Sequence, residues 1–106
     1  MTLKKLYEIL NAAMPGKVTY LAWPEGEAPE LPFICYLETG SNNFAADNVV
    51  YHKKREISIE LYTEFKSIQT EKIVEDALTA AEIYFETDET WIEKEKCFER
   101  IYFIEV

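Results

Sequence analysis

The sequence predicts an α+β fold. The sheet is mainly antiparallel, two helices pack on one of its faces, and the order is α-β-β-β-α-β with a further short strand before the last. Three observations carry this. Residues 56–62, "EISIELY", alternate between charged or polar and apolar side chains, the period of a strand with one face on a core. Residues 3–13 and 68–84 repeat their apolar positions at helical spacing. The strands between the helices follow one another through turn-forming segments, as hairpin-linked strands do. With 106 residues, 48% of them hydrophobic, the chain fits a single domain, 1–106, and can bury one modest core.

In chain order, Leu3, Leu6, Tyr7 and Leu10 form one stripe of an amphipathic helix that Pro15-Gly16 ends. "KVTYLAW", residues 17–23, reads as a short strand. "PEGEAPELP", residues 24–32, is a stiff connector holding three of the four prolines. "FICYLE", residues 33–38, is the second strand. Residues 40–50 read as a loop, and 51–64 as one long strand with Ile57, Ile59 and Leu61 on one side. Ser67 is the expected N-cap of the helix 68–84, whose face is Ile73, Val74, Ala77, Leu78, Ala81 and Tyr84. "TDET", residues 87–90, reads as a turn, with a short strand over 91–94. Residues 97–106 form a terminal strand with Tyr102, Ile104 and Val106 on one face and Ile101 and Phe103 on the other. A strand apolar on both faces belongs inside a sheet or at an interface.

The segment "SNNFAADNVVY", residues 41–51, is unusual. A solvated connector has no need of Phe44, Val49, Val50 and Tyr51. These side chains either close over the core of their own domain or are kept for a partner.

Twenty acidic and eleven basic residues give a net charge of −9. That opposes direct nucleic-acid binding, which rests on Lys and Arg displacing counterions from phosphate. The one basic cluster, "HKKR" at 52–55, suits a solvated strand end or a charge partner for an acidic patch on another subunit. Cys35 and Cys97 lie in apolar, strand-like contexts and are expected to be free, buried thiols.

Chemistry of the usual kinds lacks its residues. His52 is the single histidine and has no evident nucleophile or orienting partner. One His and two distant Cys make no recognisable zinc set. Three glycines form neither a phosphate loop nor a dinucleotide fingerprint, and there is no Gly-x-Ser-x-Gly elbow. The expectation is a protein without catalytic residues, cofactor or metal. The amphipathic start carries no secretory signal, and no stretch is long and apolar enough to cross a bilayer, so synthesis and residence in a cytoplasm are expected.

Leu31-Pro32 with Tyr36, Asn42-Asn43-Phe44 with Ala46-Asp47, Tyr51, Ile59, Leu61-Tyr62-Thr63 and Lys66 form a pattern over residues 31–78. This pattern resembles that of small proteins encoded among the head–tail genes of siphophages and prophages of Gram-positive bacteria. The group looks like the tail terminator, or tail-to-head joining, class. The resemblance implies a non-enzymatic assembly protein that forms a ring, usually a hexamer, at the end of the tail tube. It implies the tube protein and the head connector as partners, and a place in the host cytoplasm during assembly and then in the virion tail. A closed ring needs two different sticky surfaces on one subunit. Phe44, Asp47, Val49, Val50, Tyr51 and Phe103 are the interface candidates. An acidic lumen would repel passing DNA. The alternative is an acidic inhibitor that mimics DNA and binds a host defence enzyme.

Overall fold

Ile57, Ile59 and Leu61 are buried, as their alternation requires, and they set the frame for the other elements. In the computed structural model, which describes residues 1–46 and 49–106, residues 44–46 and 49–52 are described by backbone alone. The elements are α1 (Leu3–Ala13), β1 (Val18–Tyr20), β2 (Phe33–Ser41), β3 (Phe44–Ala46), β4 (Val49–His52), β5 (Arg55–Thr63), α2 (Ile68–Ala80), β6 (Glu86–Ile92) and β7 (Cys97–Glu105). Five strands form one sheet in the order β1-β2-β5-β7-β6, and β3 and β4 form a separate pair. The α+β architecture with both helices on one sheet face is as the sequence predicts. Leu6 and Leu10 of α1 and Val74 and Leu78 of α2 bury against Ile34, Tyr36, Ile57, Ile59, Leu61, Tyr102 and Ile104.

Antiparallel pairing holds along β2-β5-β7-β6, but β1 runs parallel to β2, with Val18 opposite Ile34 and Tyr20 opposite Tyr36. Parallel neighbours need a crossover, and residues 21–32 supply it. Trp23 in that crossover packs edge-on against Phe33 at 6.0 Å, on the sheet face away from the helices.

Both helices begin as their caps direct. The Thr2 hydroxyl accepts from the Lys5 amide at 3.0 Å, and the Ser67 hydroxyl accepts from the Thr70 amide at 3.2 Å. α2 stops at Ala80, four residues before the apolar pattern ends. Glu82 sits in the left-handed region at φ 59°, the Ile83 amide donates to the Leu78 carbonyl and the Glu82 amide to the Thr79 carbonyl. These two bonds define a Schellman cap, and the buried Ile83 is its apolar contact. Tyr84 therefore leaves the helix and is exposed, as is Ile73; the buried stripe of α2 is Glu71, Val74 and Leu78. Glycine suits the left-handed position better than any side chain. Glu82→Gly is expected to raise stability by about 0.5–1 kcal/mol, read from urea unfolding midpoints.

Two further corrections concern the sheet. Residues 87–90 are not a turn: they lie inside β6, which pairs along its length with β7 from Glu86–Phe103 to Ile92–Cys97. The turn falls at residues 93–96. The strand predicted over 51–64 breaks at 53–54 into β4 and β5. β7 lies between β5 and β6, the interior position that its two-sided apolar pattern anticipates.

Candidate interaction surface

Much of the predicted loop over 40–50 is strand: β2 runs to Ser41, β3 covers Phe44–Ala46 and β4 begins at Val49. β2 and β5 form a long antiparallel ribbon whose last pair is Ser41–Arg55. The Asn42 amide then donates to the Lys54 carbonyl at 2.9 Å, and the ribbon continues into β3 and β4 with Phe44 opposite His52 and Ala46 opposite Val49. The β3–β4 pair joins no strand of the main sheet, so it is an arm at the tip of the β2–β5 hairpin. Phe, Val and Tyr are strong strand formers, which accounts for their presence among turn residues. Phe44, Val49, Val50 and Tyr51 thus share this arm; Asp47 lies outside the described residues. Phe103, the sixth predicted interface residue, sits on β7 and is 45% exposed. The structure brings it towards the base of the arm. Lys53, Lys54, Glu56 and Phe103 line one cleft of about 740 Å³ at that end of the sheet.

The two sheet faces differ in what covers them. Registry places Ile34, Tyr36, Ile57, Ile59, Leu61, Arg100, Tyr102 and Glu89 under the helices. The opposite face carries Phe33, Cys35, Leu37, Ser58, Tyr62, Ile101 and Phe103, with Trp23 over its Phe33 end. The same registry puts six carboxylates there: Glu56, Glu60, Glu86, Asp88, Glu99 and Glu105. No Lys or Arg of β1, β2, β5, β6 or β7 shares this face. Sequence alternation alone places the β5 carboxylates there. The contribution of β6 was hidden by its resemblance to a turn.

Within this face, the Tyr62 hydroxyl lies 3.0 Å from Glu99 Oε2 and 3.3 Å from Glu60 Oε1. It has one proton to donate between two acceptors. Burial, with hydrogen bonding and charge repulsion from Glu99, pushes the Glu60 carboxyl up to about 7. Burial first, then the Glu60 charge, pushes the Cys35 thiol up to about 11. Cys35 and Cys97 are both free and buried, as expected. A carboxyl held above its unfolded value stabilises the fold below pH 4.5, and this contribution is lost as pH rises through about 7. Glu60→Gln is therefore expected to flatten the fall in stability between pH 5 and 8, a change of about 1–2 kcal/mol after discounting for solvent. Urea melts at the two pH values measure it.

Beneath α2, on the helix side, a polar network surrounds Arg100. Its Nε lies 3.4 Å from Glu71 Oε1 and 3.6 Å from Glu75 Oε2, and its Nη1 lies 3.4 Å from Glu89 Oε1. Lys66 Nζ reaches Glu71 at 2.7 Å and Glu89 at 2.8 Å. The Tyr102 hydroxyl donates to Glu75 at 2.8 Å and accepts from Arg100 Nε at 3.1 Å. Glu71 reads as a wet residue by its charge; it lies on the stripe of Val74 and Leu78, and this network neutralises it there.

Among the described residues, no three His, Cys, Asp or Glu side chains are grouped to hold a metal ion. No described helix is long and apolar enough to cross a membrane. The described geometry is that of a small α+β domain with a projecting hairpin arm, an uncovered acidic sheet face and a cleft between them. Its chain trace is similar to that of a chain in the virion of a native gene transfer agent particle, with a TM-score of 0.64 and 15% identity over 91% of this chain and 81% of that one. At that identity the similarity shows the shared fold. No family model and no curated protein matches the sequence.

Proposed function

We propose that this chain is a non-enzymatic virion structural protein of the tail terminator, or head–tail joining, class. It assembles with copies of itself into a ring, a hexamer, at the end of a tail tube. Its partners are the tube protein and the head connector, and it passes from the host cytoplasm into the virion tail. The observation that carries this reading is the fold shared with a virion chain over 91% of this chain and 81% of that one. The hairpin arm supports it. An isolated two-stranded hairpin is marginal in water and gains from packing against a neighbour. Arm and sheet face are also two different surfaces, which a head-to-tail ring requires.

The test is size-exclusion chromatography with light scattering over a concentration range, alone and with tail-tube protein. A ring is expected, at the latest on mixing. Phe44→Asp is expected to abolish it while leaving the melting temperature of the monomer unchanged. Collapse of stability instead assigns Phe44 to the core of its own domain and removes the arm from the interface. The six carboxylates on one face favour a second reading, a DNA mimic directed at a host nuclease. A strict monomer that competes with DNA for such an enzyme establishes that reading and defeats the ring.

A further inference from the structure

The sheet face away from the helices has a composition that ring closure through the arm does not explain. Along β5 it presents Glu56, Ser58, Glu60 and Tyr62. Along β7 it presents Glu99, Ile101, Phe103 and Glu105, and along the edge strand β6 it presents Glu86 and Asp88. Cross-strand rows run Ser58–Phe103–Glu86 and Glu60–Ile101–Asp88, so Ile101 lies between two carboxylates and Phe103 between Ser58 and one. The cations that neutralise Glu71, Glu75 and Glu89 are all on the helix side of the sheet. Phe103 is nearly half exposed and forms one wall of the cleft, where Glu56, Glu82, Glu86 and Glu105 outnumber Lys53 and Lys54. An exposed aromatic in the middle of the row is the usual anchor of a contact, and unbalanced charge around it selects the partner.

We propose that this face is a docking surface for an extended protein segment whose every second residue is in turn Arg or Lys and apolar, the apolar side chains seating on Phe103 and Ile101 and the cations on the surrounding carboxylates. That spacing matches the rows, because side chains on one face of an extended segment recur at every second residue. Polyphosphate backbones are repelled by the same carboxylates, and a purely cationic ligand leaves Phe103 uncovered. The proposal stands apart from ring formation: it concerns the face and not the arm.

A cation seated beside Glu60 competes with its proton. Glu60 is faced by Tyr62 on its own strand, Cys35 on β2, Glu99 on β7 and, across Ile101, Asp88 on β6; no cation faces it from these strands. Binding therefore releases a proton and tightens as pH rises from 6 to 8, in step with the raised affinity of Glu60 for its proton.

The test uses the full chain and a labelled peptide repeating Arg-Ser-Leu-Ser, in which arginine and leucine share one face of an extended segment, followed by fluorescence anisotropy. The face variant Glu56→Gln/Glu86→Gln/Asp88→Asn is expected to weaken binding about tenfold. The control Glu8→Gln/Glu64→Gln/Glu95→Gln removes equal charge elsewhere and is expected to leave affinity unchanged. Phe103→Ala is expected to weaken binding by a similar factor, and Glu60→Gln to remove the pH dependence. Melting curves establish that each variant folds. Equal losses in both triple variants show attraction by net charge alone and overturn the proposal. So does a peptide of arginine and serine that binds as tightly, or a wild-type chain that binds neither. If the face variant instead changes the oligomeric state of the protein and the peptide does not compete, the face belongs to a second copy and the proposal fails.

Discussion

Replacing Arg100 with methionine is expected to destabilise the protein by about 3 kcal/mol, the cost of removing one partner from a half-buried charge network built around the buried Glu71. The guanidinium stands among Glu71, Glu75 and Glu89, with only Lys66 as a second cation. Methionine fills much of the same volume, so the loss is electrostatic and leaves little void. Three carboxylates under α2 would then face one amine, with Glu71 buried. The Tyr102 hydroxyl also loses its donor. For a chain of this length the melting temperature is expected to fall by more than about 10 °C at pH 7. Adding Glu71→Gln to the variant is expected to restore part of the loss, because it removes the carboxylate with least access to water. A double-mutant cycle in thermal denaturation measures that recovery, and a cycle with no coupling shows the network to be incidental.

Ile59→Ala is expected to cost about 3–4 kcal/mol, the range for truncating a fully buried aliphatic side chain. Ile59 sits on the central strand β5, opposite Tyr36 on β2 and Tyr102 on β7, with the helices above. Neither ring can move into the void without breaking its own contacts: Tyr36 packs on Tyr20 at 5.2 Å, and Tyr102 packs on Phe85 at 5.5 Å. Phe103→Ala removes more atoms from the adjacent strand β7, yet it is expected to cost under about 1 kcal/mol because that ring already meets water. Urea unfolding of the two variants side by side checks the difference. If they fall equally, the sheet has no uncovered face and the docking proposal goes with it.

The contrast between these residues was partly legible in the sequence. Ile57, Ile59 and Leu61 declare their face by alternation, and Tyr102 and Ile104 repeat it, so the core could be read directly. The Ser67 cap was visible as well; the Thr2 cap was found in the structure. What failed has physical causes. β6 is an edge strand, and edges carry charge to discourage pairing with other chains. Its Thr, Asp and Glu therefore have the composition of a turn. α2 ends on a left-handed glutamate where a glycine would have announced the stop, so the apolar pattern carried the prediction on to Tyr84. Glu71 shares the helical stripe of Val74 and Leu78, but its charge reads as surface, because the cations that permit its burial lie on the preceding loop and on β7. The arm was half legible: Phe44, Val49, Val50 and Tyr51 are strand formers, but the Ser-Asn-Asn before them reads as the onset of a loop. The direction of β1 had no sequence signal, since a strand pattern is the same whichever way it is read.

The sheet order has a consequence for synthesis. β7 leaves the ribosome after the other four strands of its sheet, yet it occupies an interior place, with β5 on one side and β6 on the other. Until residues 97–105 emerge, β6 has nothing to pair with and β5 presents an open edge to its surroundings. Arg100 and Tyr102, which neutralise and cover the polar side of α2, arrive in the same segment. Nascent chains halted before this point are expected to remain unfolded and open to proteases, so the fold itself screens out truncated copies.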